Sequence, residues 1–152
     1  MGRYRYFKKG EEFEDFVLNE CFPDELFTIV EITPESSHRL NRRVESRLRP
    51  DFCFRDKKSG DTFWVEAKFR SRMYRDKVIW AESWQMERYK EFEKEKGQPV
   101  FLVLGLGGVS WDPMRIYAIP LKEIKYTGLY KSFLRDYEIK MTPIKYHGGV
   151  LL

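Results

Sequence analysis

"RPDFCFRDKKSGDTFWVEAKFRSR", residues 49–72, decides the fold. Two runs rich in aromatic and β-branched residues, "DFCFRD" and "TFWVEAKFR", flank "KKSGD", a polar connection of hairpin type that contains Gly60. Side chains alternate across a strand, so Phe63, Val65, Ala67 and Phe69 share one face of the second run, and Trp64, Glu66, Lys68 and Arg70 share the other. The pattern predicts an antiparallel pair with one core face and one chemical face. It also places Asp51, near the start of the first strand, close to the end of the second, where Glu66 and Lys68 sit.

Taken singly, these residues say little. An acid and a lysine at i and i+2 on a strand also describe an ordinary ion pair, and an aspartate after a proline ordinarily marks a turn. In conjunction they pose an energetic problem. Two carboxylates about 4 Å apart repel by about 4 kcal/mol at an effective dielectric near 20, and Glu14, from the helix candidate upstream, adds a third acid. A divalent cation relieves that repulsion, and oxygen ligands of this kind suit Mg²⁺ or Mn²⁺ rather than zinc. Lys68 then remains as a charged donor able to hold a phosphate oxygen or an attacking water.

Outward from the hairpin, the chain reads as alternating elements. Phe13, Phe16, Val17 and Cys21 recur at helical spacing between about Lys9 and Phe22, with acids crowding the first turns and Pro23 as the stop. "LFTIVEI", residues 26–32, reads as a strand. Downstream, "AESWQMERYKEFEKEK", residues 81–96, reads as a helix with Trp84, Gln85, Tyr89 and Phe92 along one stripe and Gly97 as terminator. Residues 99–104 and 115–120 read as strands joined by a glycine-bearing turn, and "LKEI" and "GLYKSFLRDYEI" as short helices. The order predicts an α/β fold, a mixed sheet flanked by helices. A single domain is expected over residues 1–152, with its core at about 8–120 and a helical extension at 121–152.

The 152 residues suffice for one packed core, with 42% hydrophobic and 16% aromatic residues. Cys21 and Cys53 have no metal-ligand spacing and no secretory hydrophobic region ahead of them, so both are read as buried thiols in a reducing, cytoplasmic setting. The longest apolar run, "VFLVLGLGGV", is ten residues long and glycine-broken, too short to span a bilayer. "GLGGVS" lacks the third glycine of a dinucleotide fingerprint and leads into a strand, so it reads as a hairpin turn. His38 and His147 have no partner at ligand spacing.

Net charge is only +4, but its distribution is informative. Arg39, Arg42, Arg43, Arg47 and Arg49 face one acid, Glu45, on one side of the hairpin; Lys68, Arg70, Arg72, Arg75 and Lys77 face Asp76 on the other. Basic segments flanking an acid cluster fit sequence-independent contacts to backbone phosphates, although each alone is equally a solvated loop. "RYRYFKK", residues 3–9, mixes aromatic and basic residues suited to stacking on a strand, or to a frayed terminus.

"RPDF" followed by "VEAKF" resembles the PD-(D/E)xK, or restriction-endonuclease-like, nuclease superfamily, over about residues 8–120. "QMERY" matches the Q-x-x-x-Y spacing of RecB-type members, and "GEEFEDFV" is similar to the first helix of Mrr-like members; the histidine that RecB-type members often carry in that helix is absent. The resemblance implies a helix, a three-stranded meander, a helix and a strand. It further implies that Asp51 and Glu66 ligate a metal with the Ala67 carbonyl and Glu14, and that Lys68 activates water. Gln85 and Tyr89 would orient Lys68 or a backbone phosphate. The function implied is metal-dependent hydrolysis of phosphodiester bonds in nucleic acid, DNA first, with no membrane partner. Stand-alone members of this fold often dimerise to cut both strands, and the segment after Tyr126 is the candidate contact. The competing reading is a non-catalytic nucleic-acid-binding or assembly module on the same fold. A phosphate-ester enzyme for small molecules is disfavoured by the arginine-rich flanks.

Overall fold

A computed structural model describes residues 11–34 and 48–152. Helix α1, Glu12–Phe16, runs on as a π-helical turn over Val17–Cys21, and Phe13, Val17, Leu18 and Cys21 form its buried stripe. Strand β1, Phe27–Ile32, follows; then β2, Phe52–Asp56, and β3, Thr62–Arg70, make the expected hairpin. A three-residue strand β4, Lys77–Ile79, precedes α2, Ser83–Lys96, which ends at Gly97 in the left-handed conformation (φ 65°) that terminates helices. Strands β5, Val100–Val109, and β6, Asp112–Pro120, form a long hairpin. The remaining elements are short: β7, Gly128–Tyr130, α3, Lys131–Leu134, β8, Glu138–Ile139, β9, Tyr146–His147, and β10, Val150–Leu151.

Six strands pair in the order β1-β2-β3-β5-β6-β8, and β3 and β5 are parallel while their other neighbours are antiparallel. A parallel pair needs a crossover, and the segment holding β4 and α2 supplies it. One core lies under α1, where Phe22 stacks on Phe54 at 4.5 Å and meets Phe27 edge-on at 5.1 Å. A second core lies under α2, built on Trp64, Trp80, Tyr89, Phe92, Leu102 and Leu104.

This two-sided covering corrects one expectation. The chemical face of β3 is itself core over its first half, where Trp64 and Glu66 are 2% and 3% exposed, and only Lys68 and Arg70 are partly open. The second correction concerns the C-terminal extension, which is mixed rather than helical. "GLYKSFLRDYEI" splits because Gly128–Tyr130 pair with β4 and Glu138–Ile139 with β6, leaving too few residues for a self-sustaining helix. Strand β5 also outruns its predicted end at residue 104. Gly107 and Gly108 take φ of 78° and 72°, and β5 pairs on in the same register to Val109 opposite Asp112. "GLGGVS" is thus the arm of a hairpin.

Gly105 seats α1. A Cβ there would lie 2.5 Å from the Phe13 ring, so only a bare backbone lets Phe13 rest on the sheet, where its ring centre is 5.9 Å from that of Phe69. The next residue, Glu14, is carried in with it. Gly105→Ala should lift Phe13 and destabilise the protein by about 1–3 kcal/mol through overpacking, read as a lowered melting temperature; an unchanged melt would show that α1 adjusts freely.

Among the described residues, no helix is long and apolar enough to cross a membrane.

Candidate active site

Pairing between β2 and β3 stops at Phe52 opposite Val65, which leaves Asp51 one step past the end of the ladder. Its side chain continues what the backbone leaves off: the Ala67 N–H donates to Asp51 Oδ2 at 2.8 Å. From the other side, the Thr33 N–H donates to the Asp51 carbonyl at 2.8 Å and the Thr33 hydroxyl donates to the Pro50 carbonyl. Asp51 is therefore pinned through both its main chain and its carboxylate. Asp51, just before β2, and Glu66, on β3, are buried acids, each 3% exposed.

Glu66 has one oxygen accounted for and one not. Oε2 lies 3.4 Å from the Lys68 ammonium, while Oε1 is buried without a hydrogen-bond partner. Tyr89 reaches this spot from α2 and its hydroxyl interacts with the Glu66 carboxylate, although neither that hydroxyl nor Glu66 Oε1 completes a hydrogen bond of good geometry. Buried polar atoms are rarely left so loosely paired, which leaves Glu66 Oε1 able to take a further partner.

The electrostatics tie the cluster together. Burial raises the Asp51 carboxyl well above its ordinary value, and the charges of Glu66 and Glu14 add to this, against the Ala67 N–H and Lys68. Burial, then Glu66, pushes Glu14 up to about 7, with Lys68 opposing. The Tyr89 phenol is raised by burial and then by Glu66 and Asp51. Glu14 and Asp51 thus both lie in the fields of Glu66 and Lys68, and Tyr89 in those of the three acids, although Glu14 and Tyr89 stand 75 positions apart in the sequence.

Other predicted site residues are placed differently. Gln85 accepts a hydrogen bond from the Glu82 N–H at 2.9 Å, an N-terminal cap for α2. Tyr89, expected to touch nucleic acid, is wholly buried and stacks on Trp80 with ring centres 6.1 Å apart, so it is a wall of the site and no DNA contact. Arg70, expected to contact phosphate, is partly exposed and also serves as a structural tie. Its guanidinium donates to the carbonyls of Phe69, Ile79 and Trp80 at 2.9, 3.0 and 3.2 Å. Arg49 pairs with Glu31 at 2.7 Å and lies over Trp64 and Phe92. Arg72 is exposed. Arg39, Arg42, Arg43 and Arg47, and the "RYRYFKK" segment, lie outside the described residues. Thr33 escaped the sequence reading, because a threonine ending a strand carries no signal that it will pin a residue 18 positions later.

Among the described residues no three acids, histidines or cysteines are gathered into a ready-made metal cage. The donors on offer are Asp51 and Glu66, with Glu14 at their margin. Hard oxygen donors, a Glu66 oxygen without a full hydrogen bond, and Asp51 and Glu14 carboxyls raised by burial and then by neighbouring acids are what a small divalent cation would satisfy, so these residues fit such an ion.

An acid-bearing β2–β3 hairpin, a parallel β3–β5 pair bridged by α2, and α1 packed across the sheet define a restriction-endonuclease-like fold. Among solved structures the chain is similar to Hjc, a Holliday junction resolvase from the archaeal hyperthermophile Archaeoglobus fulgidus, determined at 1.6 Å. The TM-score is 0.51 with 13% identity over 73% of this chain and 79% of that one. No protein-family model matches the sequence, and comparison with curated proteins gives no match.

Proposed function

We propose that this protein is a metal-dependent deoxyribonuclease whose active site is Asp51, Glu66 and Lys68, with Glu14 as a further acid. The observation that carries this reading is the burial of Asp51 and Glu66 side by side, with a Glu66 oxygen lacking a full hydrogen bond and the Lys68 ammonium 3.4 Å away. A purely structural ion pair would not bring a second buried acid beside it, with Glu14 within reach of its field. The similarity to a Holliday junction resolvase supports DNA as the substrate.

Asp51, Glu66 and the Ala67 carbonyl would hold Mg²⁺ or Mn²⁺, with Glu14 able to close on it. When bound, the ion would neutralise charge developing on the scissile phosphate. The remaining work falls to this chain's own groups. The Ala67 N–H keeps Asp51 from rotating away. The Lys68 ammonium, only partly covered and holding three donors, orients the attacking water or a non-bridging phosphate oxygen. The water oxygen bonds to phosphorus, one phosphodiester P–O bond breaks, and the departing oxygen takes up a proton. Glu14, poised near neutrality, is suited to accept the proton the water gives up. Arg49 and Arg72 are candidate backbone-phosphate contacts.

Plasmid and single-stranded DNA incubated with Mg²⁺, Mn²⁺ or EDTA test the proposal. Nicking with metal and none with EDTA is expected. Lys68→Ala should slow cleavage by about 10²–10³-fold with little change in melting temperature. Retained DNA binding without nicking under any condition would make the protein a non-catalytic module on this fold; a collapse of folding in Lys68→Ala would make Lys68 structural.

A further inference from the structure

The hairpin that leaves β3 after Arg70 carries a feature the acid cluster does not use. Tyr74 and Lys77 exchange backbone hydrogen bonds of 2.9 and 3.1 Å around a two-residue turn, and Lys77 pairs in turn with Tyr130 of β7. Directly opposed residues of antiparallel strands share a face, so Tyr74, Lys77 and Tyr130 form a row, with Ile79 next along β4. Gly128, opposite Ile79, keeps the face flat: a Cβ there would lie 3.3 Å from both the Ile79 and the Lys77 side chains. The face is open, with Tyr74 70%, Tyr130 54% and Ile79 50% exposed.

Cations dress the rings. The Lys77 ammonium is 5.6 Å from the Tyr130 ring centre and the Arg75 guanidinium 5.3 Å from that of Tyr74. Arg72 and Lys131 are exposed close by, and a cleft bordered by Met73, Tyr130, Lys131 and Arg135 runs along the edge. The turn itself is strained: Arg75 and Asp76 take φ of 53° and 63°, where asparagine and glycine are the easy occupants. Strain of this kind persists where the surroundings hold it, and it gathers at binding sites. Arg70 fixes the whole hairpin to β3 through Ile79 and Trp80. Tyr74 is six positions beyond Lys68, a reach of at most about 20 Å.

We propose that this face is a stacking platform for unpaired bases of the strand entering the acid cluster. The inference rests on the nuclease reading above and narrows its substrate to DNA with a single-stranded or frayed segment beside the cut. Rings backed by ammonium and guanidinium groups match a polyanion whose bases offer π-faces. An apolar protein partner would find little on the row except Ile79.

Fluorescence anisotropy in EDTA reads binding without cleavage, using labelled oligothymidylate, a blunt duplex and the same duplex with a single-stranded overhang. Tyr74→Ala should weaken binding to oligothymidylate and the overhang about tenfold while the blunt duplex stays within about twofold, and Tyr74→Phe should bind like the unaltered protein. Equal losses on all three probes, no loss on any, or no binding of oligothymidylate by the unaltered protein overturns the platform. So does loss of a self-associated species in Tyr74→Ala with DNA binding intact, which would give the face to a second copy. Selective binding by a protein that never cuts would leave the platform standing and remove the nuclease reading.

Discussion

Asp51→Asn is expected to yield a protein that melts higher than the original in the absence of metal and cuts DNA about 10²–10³-fold more slowly. The two effects have one cause. Asp51 is buried against Glu66 and within the field of Glu14, and its carboxyl is held well above its ordinary value. Asparagine keeps an oxygen to accept from the Ala67 N–H but removes the charge that the site resists. A gain of about 1–2 kcal/mol corresponds to a melting shift of about 2–8 °C for a chain of this size. The gain should widen as pH rises above the usual aspartate range, because only the original residue is then forced to ionise on unfolding. Thermal melts in EDTA, run beside plasmid cleavage, check both. A variant that is less stable, or equally active, would mean that Asp51 is held for its hydrogen bonds and takes no part in the chemistry.

The second large effect is a stability profile that runs against the usual direction. Glu14 is raised from 4.5 to about 7. A carboxyl whose folded value lies above its unfolded one binds protons more tightly when folded. Its contribution is therefore complete below 4.5 and drains away as pH climbs through about 7. That contribution is of order 3 kcal/mol, and Asp51 acts in the same direction. Glu138, where burial is outweighed by Lys140 and Arg115, has the opposite sign, and its partners Arg115 and Lys140 are exposed to screening. In EDTA, the melting temperature should fall across this window. With Mg²⁺ or Mn²⁺ the fall should be reversed, since an ion at 100 times its dissociation constant adds about 2.7 kcal/mol and binds the ionised acids. Stability that rises with pH in EDTA would show that the three acids do not share a site.

Both predictions depend on a convergence that the sequence did reveal. A short hairpin fixes its own register, so Asp51 opposite Glu66 follows from "DFCFRD", "KKSGD" and "TFWVEAKFR" alone. Helix α2 and strand β5 were legible for the same reason: their period, caps and apolar runs are local properties. What was not legible is whatever two distant segments decide together. The burial of Glu66 on the α2 side depends on Tyr89, Leu102 and Leu104 arriving from the crossover. The structural role of Arg70 was hidden because two of its carbonyl partners, Ile79 and Trp80, lie at the end of and just after β4, a three-residue strand whose mate, β7, lies some 50 residues further on. Gln85 matched a family spacing, yet its nearest free donor was the backbone three residues back.

The parallel seam between β3 and β5 bears on how the molecule assembles. The β2–β3 hairpin can close early, bringing Asp51 and Glu66 together while both are still hydrated. Their dry surroundings arrive only when the chain has looped through α2 and laid β5 alongside, a long-range contact that is intrinsically slow to form. Burial of Asp51 and Glu14 is complete only once that contact is made, so the folded chain takes up protons, or a cation, that the hydrated chain does not hold.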